Sequence, residues 1–223
     1  MAYNIGILVF PGVQQLDLTG PFEVFASVPG TSVHLVWKDT AEIASSTGLL
    51  LSPTVAFDQC PPLDVVCVPG GVGVNALLQD ADVLTFLRSQ AMQARYVTSV
   101  CTGALVLGAA GLLAGRRATT HWLSHDFLAL FGAIPVHERV VTDGNLITAG
   151  GVTAGIDFSL TVVSQMAGQD EAEAVQLALE YAPAPPFQAG TPDDAPAAVV
   201  AMVRQRMAPS RKAREAIIRD ITG

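Results

Sequence analysis

The sequence predicts an α/β protein built on a mostly parallel sheet with helices on both faces. Short apolar runs that end near glycine or proline recur along the chain, and helical patterns lie between most of them. Parallel strands buried on both faces have this continuous apolar character. In addition, 50% of the 223 residues are hydrophobic and 14% are charged, which is enough apolar material to bury one large core.

The apolar runs predict the strands of this sheet. They are Ile5–Phe10, Val33–Trp37, Val65–Val68, Tyr96–Val100 and Leu146–Thr148. "IASSTGLLLSP" and "VVTDGNLITAGG" predict hairpins, the second with Asp143-Gly144 as its turn. The sheet is therefore expected to carry antiparallel additions at an edge.

Helices are predicted between the strands, at Pro21–Ser27, Asp82–Ala94, Ala104–Ala110, His121–Leu130, Thr153–Ala167 and Asp170–Glu180. Thr19 before Pro21, and Asp80 before the second pattern, are typical of helix starts. Residues 1–182 are thus predicted to form one α/β domain. Residues 183–223 are predicted to form a Pro-rich extended segment and a final helix from about Ala197, whose basic residues form a solvated face.

Composition excludes several classes of function. The net charge is −8 and the Lys and Arg residues are scattered except near the C-terminus, which argues against a nucleic-acid or anionic-membrane partner. The apolar run near the N-terminus is too short to span a bilayer. The 3 cysteines have no C-x-x-C spacing, so we expect reduced thiols in a cytoplasmic protein rather than disulfides or a zinc site.

Candidate functional residues follow the predicted strands, because ligands of open α/β sheets bind at the carboxyl ends of the strands. Asp17 is predicted in the loop after the first strand, Gly70 and Gly71 follow the third, and Cys101-Thr102 follows the fourth. At a strand-to-helix corner, helix amides favour a thiolate, and the glycine N–H groups are suited to an oxyanion.

Each of these residues also has an ordinary structural interpretation. Cys101 fits either a nucleophile or a buried small hydrophobe, and Cys60 and Cys67 are predicted to be buried packing residues. Asp17 fits a helix cap, and the glycines fit plain turns. His121 and His125 have i, i+4 spacing, but the Glu of a metalloprotease helix is missing, so no metal is predicted. His121 is instead expected to matter at the site or to bond a backbone group at a helix start.

Three segments, "LDLTGPFEVF", "DVVCVPGG" and "CTGALVLGAAGLLAGRRATTHW", resemble the ThiJ/PfpI superfamily, relatives of the class I glutamine amidotransferases. Within it the chain is most similar to the bacterial isocyanide hydratases. Its C-terminal segment "LEYAPAPPFQAGTPDDAPA" shares the Pro-rich pattern of that subgroup. The resemblance implies a flavodoxin-like three-layer α/β/α sandwich, no cofactor and a homodimer. The final helix would pack on its own domain or on the dimer partner.

The resemblance also implies a reaction and its residues. Cys101 would be the nucleophile, and Asp17 would take the place of the superfamily's usual Glu. Thr102 stands where protease-like members have His, which argues against a peptidase. Water would add to an isocyanide through a thioimidate on Cys101 and give an N-substituted formamide. Asp17 would move protons, Thr102 would donate near the sulfur, and Gly71, beside Gly70, would stabilise negative charge.

Two alternatives remain open on the sequence. One is a stand-alone ligand-sensing domain, similar to the N-terminal part of AraC-type regulators, in which the cysteine is idle. The other is a glyoxalase-like or amidase-like enzyme of the same superfamily.

Overall fold

The structure is a computed structural model that describes residues 2–223. Its strands are β1 (Tyr3–Leu8), β2 (Thr31–Trp37), β3 (Ile43–Ala44), β4 (Leu50–Leu51), β5 (Val55–Ala56), β6 (Val65–Val68), β7 (Tyr96–Val100), β8 (Arg117–Ala118), β9 (Ile134–Pro135), β10 (Val140–Asp143) and β11 (Leu146–Ala149). Its helices are α1 (Gln15–Ala26), α2 (Val74–Leu77), α3 (Ala81–Ala91), α4 (Gly103–Ala109), α5 (Ala154–Ala167), α6 (Gln169–Ala178) and α7 (Ala197–Thr222). The segments Phe57–Gln59 and Trp122–Phe131 are 3-10 helices.

The central sheet has seven strands in the order β10-β11-β7-β6-β1-β2-β5. Every neighbouring pair is parallel except β10 and β11 at one edge. All residues of β6 and β7 are buried, as continuous apolar or β-branched runs in the middle of a parallel sheet predict. The predicted mostly parallel α/β sheet is confirmed.

The helices divide into two groups, one for each face of the sheet. On one side α1, α5 and α6 pack together, with α1 against β1 and β2 and with α5 against β7 and β11. On the other side α3 and α4 pack on β6, α2 and the 3-10 helix Trp122–Phe131 contact α4, and α7 contacts α2 and that 3-10 helix. This arrangement gives the three predicted layers, α/β/α.

The two predicted hairpins form, but each differs in detail. Asp143 pairs with Leu146, so the turn between β10 and β11 is Gly144-Asn145 and not Asp143-Gly144. Gly144 has φ +58°, which a residue without a side chain adopts readily. The hairpin of β3 and β4 is a separate two-stranded sheet and does not extend the central one. A parallel pair of β8 and β9, which sequence did not predict, forms a third small sheet.

Helix α1 begins at Gln15 instead of Pro21, which corrects the predicted position of Asp17. Pro is favoured in the first turn of a helix, so Pro21 indicated a start, yet it lies inside α1. Thr19 is also helical, and its hydroxyl donates to Gln15 Oε1 at 3.0 Å. Asp17 therefore lies in the first turn of α1 rather than in a loop. By contrast, Asp80 caps α3 as predicted by accepting N–H bonds from Asp82 and Val83.

The C-terminal helix α7 packs on the body of its own chain. It contacts the 3-10 helix Trp122–Phe131 and α2, and Ile218 is fully buried. Arg211 forms an ion pair with Asp126 at 2.8 Å. Among residues 2–223, no helix is both long and apolar enough to cross a membrane.

Candidate active site

Three adjacent strand ends bring the predicted site residues together. Asp17 follows β1, Gly70 and Gly71 follow β6, and Cys101-Thr102 follows β7, and these strands are neighbours in the sheet. Gly70 N–H donates to Asp17 Oδ2 at 2.9 Å, and Gly71 N–H donates to Thr102 Oγ1 at 3.2 Å. The residues that sequence singled out for chemistry thus form one cluster.

Cys101 lies at a tight strand-to-helix corner. Its φ of +54° is unusual for a residue with a side chain, and such a conformation persists only where the surroundings enforce it. Its N–H donates to the carbonyls of Ala149 at 3.1 Å and Gly150 at 2.8 Å. Thr120 Oγ1 donates to the Cys101 carbonyl at 2.6 Å. The corner therefore fixes where the Cys101 side chain lies.

Gly103 makes the corner possible. A Cβ atom at this position would lie 1.9 Å from the Val68 carbonyl oxygen, which is far inside van der Waals contact. Gly70 is similarly constrained, because a Cβ there would lie 2.7 Å from Thr102 N and 2.8 Å from Asp17 Oδ2. These glycines allow β6 and the nucleophile corner to approach closely, which a plain surface turn would not require.

Asp17 is a buried carboxylic acid. It has no exposed surface, and its Oδ1 accepts no hydrogen bond from the described residues. Burial raises the pKa of Asp17 to about 7, and the hydrogen bond from Gly70 N–H and the interaction with the Cys101 thiol only partly offset this rise. Asp17 therefore holds its proton to much higher pH than an exposed aspartate does.

The Cys101 thiol shares this environment. Burial raises its pKa, the negative charge of Asp17 raises it further, and the amides of Thr102 and Val152 oppose the rise. The amides thus favour the thiolate as predicted, but desolvation outweighs them and the net pKa shift of Cys101 is upward. Because an ionised Asp17 raises the pKa of Cys101, loss of the Asp17 proton disfavours loss of the thiol proton.

A pocket of about 100 Å³ lies over Cys101. Its walls come from the loops at the carboxyl ends of the strands and from α7. The lining residues are Gln14, Gly71, Val72, Cys101, Thr102, His121, Leu123, Val152, Met207, Ser210, Arg211 and Arg214. Sequence reasoning missed the contribution of α7, because it assigned the basic residues of this helix, including Arg211, to a solvated face.

His121 belongs to the pocket as a neutral group. Leu123 N–H donates to His121 Nδ1 at 3.3 Å, which confirms the predicted bond to a backbone group at a helix start. Burial and the charge of Arg214 lower the pKa of His121 to about 4. Because Nδ1 accepts, the proton of the neutral ring resides on Nε2, and His121 offers one N–H donor.

The remaining cysteines and histidines lie elsewhere. Cys67 is fully buried as predicted, whereas Cys60 is only partly buried, which corrects its prediction. His125 stacks on His137 with ring centroids 3.7 Å apart and does not line the pocket over Cys101. Within residues 2–223, no three His, Cys, Asp or Glu side chains are placed to hold a metal ion.

Comparison with known proteins identifies relatives of the whole chain. The DJ-1/PfpI family model matches residues 4–165. The chain is 64% identical over 217 residues to "Isonitrile hydratase" from Pseudomonas putida, covering 97% of this chain and 95% of that protein. It is 33% identical over 189 residues to the "HTH-type transcriptional regulator GbdR" of Pseudomonas aeruginosa, covering 80% of this chain and 50% of the regulator.

Solved structures show the same fold. A ThiJ/PfpI family protein from Pseudomonas syringae superposes with a TM-score of 0.95 at 44% identity, covering 98% of this chain and 91% of that one. Drosophila melanogaster DJ-1beta superposes with a TM-score of 0.74 at 24% identity, covering 82% of this chain and 100% of that one. At the latter identity the similarity concerns the fold alone.

Proposed function

This chain belongs to the DJ-1/PfpI family, and from that premise we propose that it is an isocyanide hydratase. The enzyme is a hydro-lyase that adds water to an isocyanide, also called an isonitrile, and releases an N-substituted formamide. The 64% identity to the P. putida isonitrile hydratase supports this proposal. The site observation that carries it is the Cys101–Asp17 pair, in which a buried carboxylic acid interacts with the thiol that lines the pocket.

The reaction needs both members of the pair. The terminal carbon of an isocyanide accepts a nucleophile and then needs a proton on the same carbon. When the pair holds one proton, its reactive form has the Cys101 thiolate beside the protonated Asp17. Attack by Sγ forms the carbon–sulfur bond, and the Asp17 proton moves to that carbon. The product is a thioimidate linked to Cys101, with Asp17 ionised.

Water then completes the reaction. The Asp17 carboxylate takes a proton from the attacking water, whose oxygen bonds to the thioimidate carbon, and this proton passes to the nitrogen. Breakage of the carbon–sulfur bond expels the thiolate, and the remaining hydroxyl proton returns to Asp17. The pair regains its starting charge, and the atoms balance as isocyanide plus water giving formamide.

The glycines and Thr102 support the pair. Gly70 N–H bonds Asp17 Oδ2 and so leaves Oδ1 available for proton transfer. Gly71 N–H bonds Thr102 Oγ1, so its contribution is to orient this hydroxyl in the pocket wall beside Cys101. This arrangement revises the role expected from the sequence, in which the Gly71 amide binds negative charge directly.

The test is formamide production from an alkyl isocyanide such as cyclohexyl isocyanide, with the protein omitted as the blank. We expect formamide from the wild type and none above the blank from Cys101→Ala. Methylglyoxal serves as the parallel substrate for a glyoxalase-like enzyme. Absence of formamide with the wild type rejects the hydratase, and ligand binding without turnover of either compound would favour the sensor.

We also propose that the protein acts as a homodimer in the cytoplasm. Val72 and Met207 line the pocket and are 51% and 42% exposed, and Leu49 and Leu50 of the β3–β4 hairpin are exposed as well. A second subunit covering such apolar side chains would exclude water from the pocket mouth. Reducing conditions would keep Cys101 available for catalysis. Sedimentation at twice 23.2 kDa is expected, and a monomer at micromolar concentration would reject the dimer.

A further inference from the structure

Helix α7 brings a buried cation to the pocket. Arg214 is 6% exposed and is the one Lys or Arg side chain that is buried in the described part of the chain. Its Nε donates to Asn75 Oδ1 at 2.9 Å and its Nη1 donates to Ser124 Oγ at 3.0 Å. Both acceptors are neutral, and none of the ion pairs within residues 2–223 includes Arg214.

A buried guanidinium without a counter-charge is unfavourable, and arginine cannot escape the cost by losing its proton. The groups around it leave few candidates for the missing charge. Arg211 on α7 is a second cation, and the carboxylate of Asp126 already binds it through both oxygens. Glu215 pairs with Arg219 at 2.8 Å, and His121 is neutral.

The remaining acidic groups near this end of the pocket are Cys101 and Asp17. Cys101 lines the same pocket as Arg214, and Asp17 is coupled to Cys101. A pair that holds one proton carries a single negative charge, whichever atom bears it. That charge is opposite in sign and equal in magnitude to the charge of the one buried arginine that lines the same pocket.

We propose that Arg214 is the counter-ion of the Cys101–Asp17 pair. Its guanidinium, fixed by Asn75 and Ser124, stabilises the negative charge that remains on the pair after one proton has left. Arg214 is thus a positioning residue of the reaction, since it acts through the pair. Its place in hydration rests on the proposed function, whereas the charge pairing itself is measurable without turnover.

The electrostatics of the pocket support this assignment. Burial lowers the pKa of Arg214, and the charge of Cys101 opposes this effect by raising it. The field of Arg214 also reaches His121 on the pocket wall, because it helps to lower the pKa of that imidazole. The guanidinium therefore interacts electrostatically with two groups that line the pocket, Cys101 and His121.

The test is the pH dependence of Cys101 alkylation by iodoacetamide, because only the thiolate form reacts. Rates are measured by peptide mass spectrometry in full-length wild type, Arg214→Met and Arg214→Lys. Loss of the cation disfavours the negative pair, so the midpoint in Arg214→Met should move to higher pH by about one unit or more. Arg214→Lys keeps the charge and should restore most of the wild-type midpoint.

Two controls accompany these variants. Arg211→Met removes a cation from the same helix and pocket, but this side chain is 30% exposed and is already paired with Asp126. Solvent screening should hold its midpoint within a few tenths of a unit of wild type. Cys60, which is partly buried outside the pocket, reports within each sample whether alkylation has changed generally.

An unchanged midpoint in folded Arg214→Met overturns the proposal, as does an equal shift in Arg214→Lys. Should the Met variant fail to fold, Arg214→Gln retains hydrogen-bond donors for Asn75 and Ser124, and an unchanged midpoint in that variant has the same meaning. A raised KM for isocyanide with an unchanged alkylation midpoint would make Arg214 a substrate-binding group instead. A shifted midpoint in a protein that makes no formamide would support the counter-ion and reject the hydratase.

Discussion

At the scale of single residues, the site depends on a carboxyl group kept out of water. Asp17 gains the proton it needs because burial disfavours its charged form, and the same burial keeps the neighbouring thiol from ionising freely. A more exposed aspartate would be ionised at neutral pH and would have no proton to give to carbon. Burial of Asp17 therefore both keeps the proton that the proposed reaction uses and makes the ionised carboxylate unfavourable.

The burial of Asp17 predicts how this residue changes the free energy of unfolding with pH. Its pKa is about 7 in the folded protein, above the ordinary value of 3.8 for an aspartic acid, so the unfolded chain loses this proton at lower pH than the folded protein. The neutral form favours folding fully below pH 4, and this contribution is lost as the pH rises toward 7. Asp17→Asn should consequently unfold at higher denaturant concentration than wild type above pH 7, by about 4 kcal/mol at most in free energy of unfolding.

Urea unfolding from pH 4 to pH 8 measures this difference, and the two proteins should converge at the acid end. The same variant should lose hydration, since an amide transfers no proton to carbon. Parallel pH curves for Asp17→Asn and wild type would mean that Asp17 is not desolvated as described. Normal hydration by the variant would remove Asp17 from the mechanism.

Sequence predicted these residues unequally, for physical reasons. Cys101 could be predicted from the sequence, because a glycine shortly after a buried strand indicates a strand-to-helix corner. Asp17 was found, but its helix was placed too late because Pro21 is typical of a first turn. The burial of Arg214 in the pocket was not predicted, because its partners, Asn75 and Ser124, are distant in the chain. No local sequence pattern distinguishes a buried arginine from an exposed one.

At the scale of elements, the β7–α4 corner sets the position of the nucleophile. The constraint comes from β6, whose Val68 carbonyl lies where a Gly103 side chain would be. Strand β6 and helix α4 are packed together, so neither can move away without disturbing the core. Apolar runs in the sequence predicted strands β6 and β7. They do not specify which strands are neighbours in the sheet, so the close approach of the Val68 carbonyl to Gly103 could not be predicted.

Gly103→Ala should therefore displace the corner. We expect a loss of several kcal/mol in free energy of unfolding, within the range for overpacked or strained buried sites, and at least a tenfold loss of hydration. Gly190→Ala is the matched control, because Gly190 is exposed and a Cβ there meets no atom within 4 Å. Wild-type stability and activity for Gly103→Ala would show that the corner tolerates a side chain.

At the scale of the whole molecule, the C-terminal helix forms part of the candidate active-site pocket. Helix α7 supplies Met207, Ser210, Arg211 and Arg214 to a pocket whose chemistry lies at the sheet. Residues 183–223 were predicted to pack on the same domain or on the dimer partner, and α7 lies against its own chain and lines this pocket. The end of the Pro-rich segment correctly placed the start of the helix at about Ala197, but the surface on which it packs is set by contacts far apart in sequence.

Because α7 packs on the rest of the chain and lines the pocket, we expect it to unfold together with the sheet. Ile218 is fully buried, so Ile218→Ala should reduce the free energy of unfolding by about 2 to 4 kcal/mol in a single transition and weaken hydration. Ile221→Ala, on the same helix and 36% exposed, is the control and should be milder. A separate early transition for α7 in the wild type would contradict a single cooperative unit.

In the proposed mechanism, the buried proton of the Cys101–Asp17 pair becomes the hydrogen on the formyl carbon of the product, where its isotope can be measured. The hydrogen on the formyl carbon of the product does not exchange with solvent, and in this mechanism it comes from Asp17 rather than directly from bulk water. Turnover in D2O should give formamide with deuterium at that carbon. Enzyme transferred from H2O and assayed at once in a single turnover should place protium there, to the extent that the buried pair exchanges more slowly than it reacts. Mass spectrometry of the product would thus read out how well the pocket isolates its proton from the surrounding water.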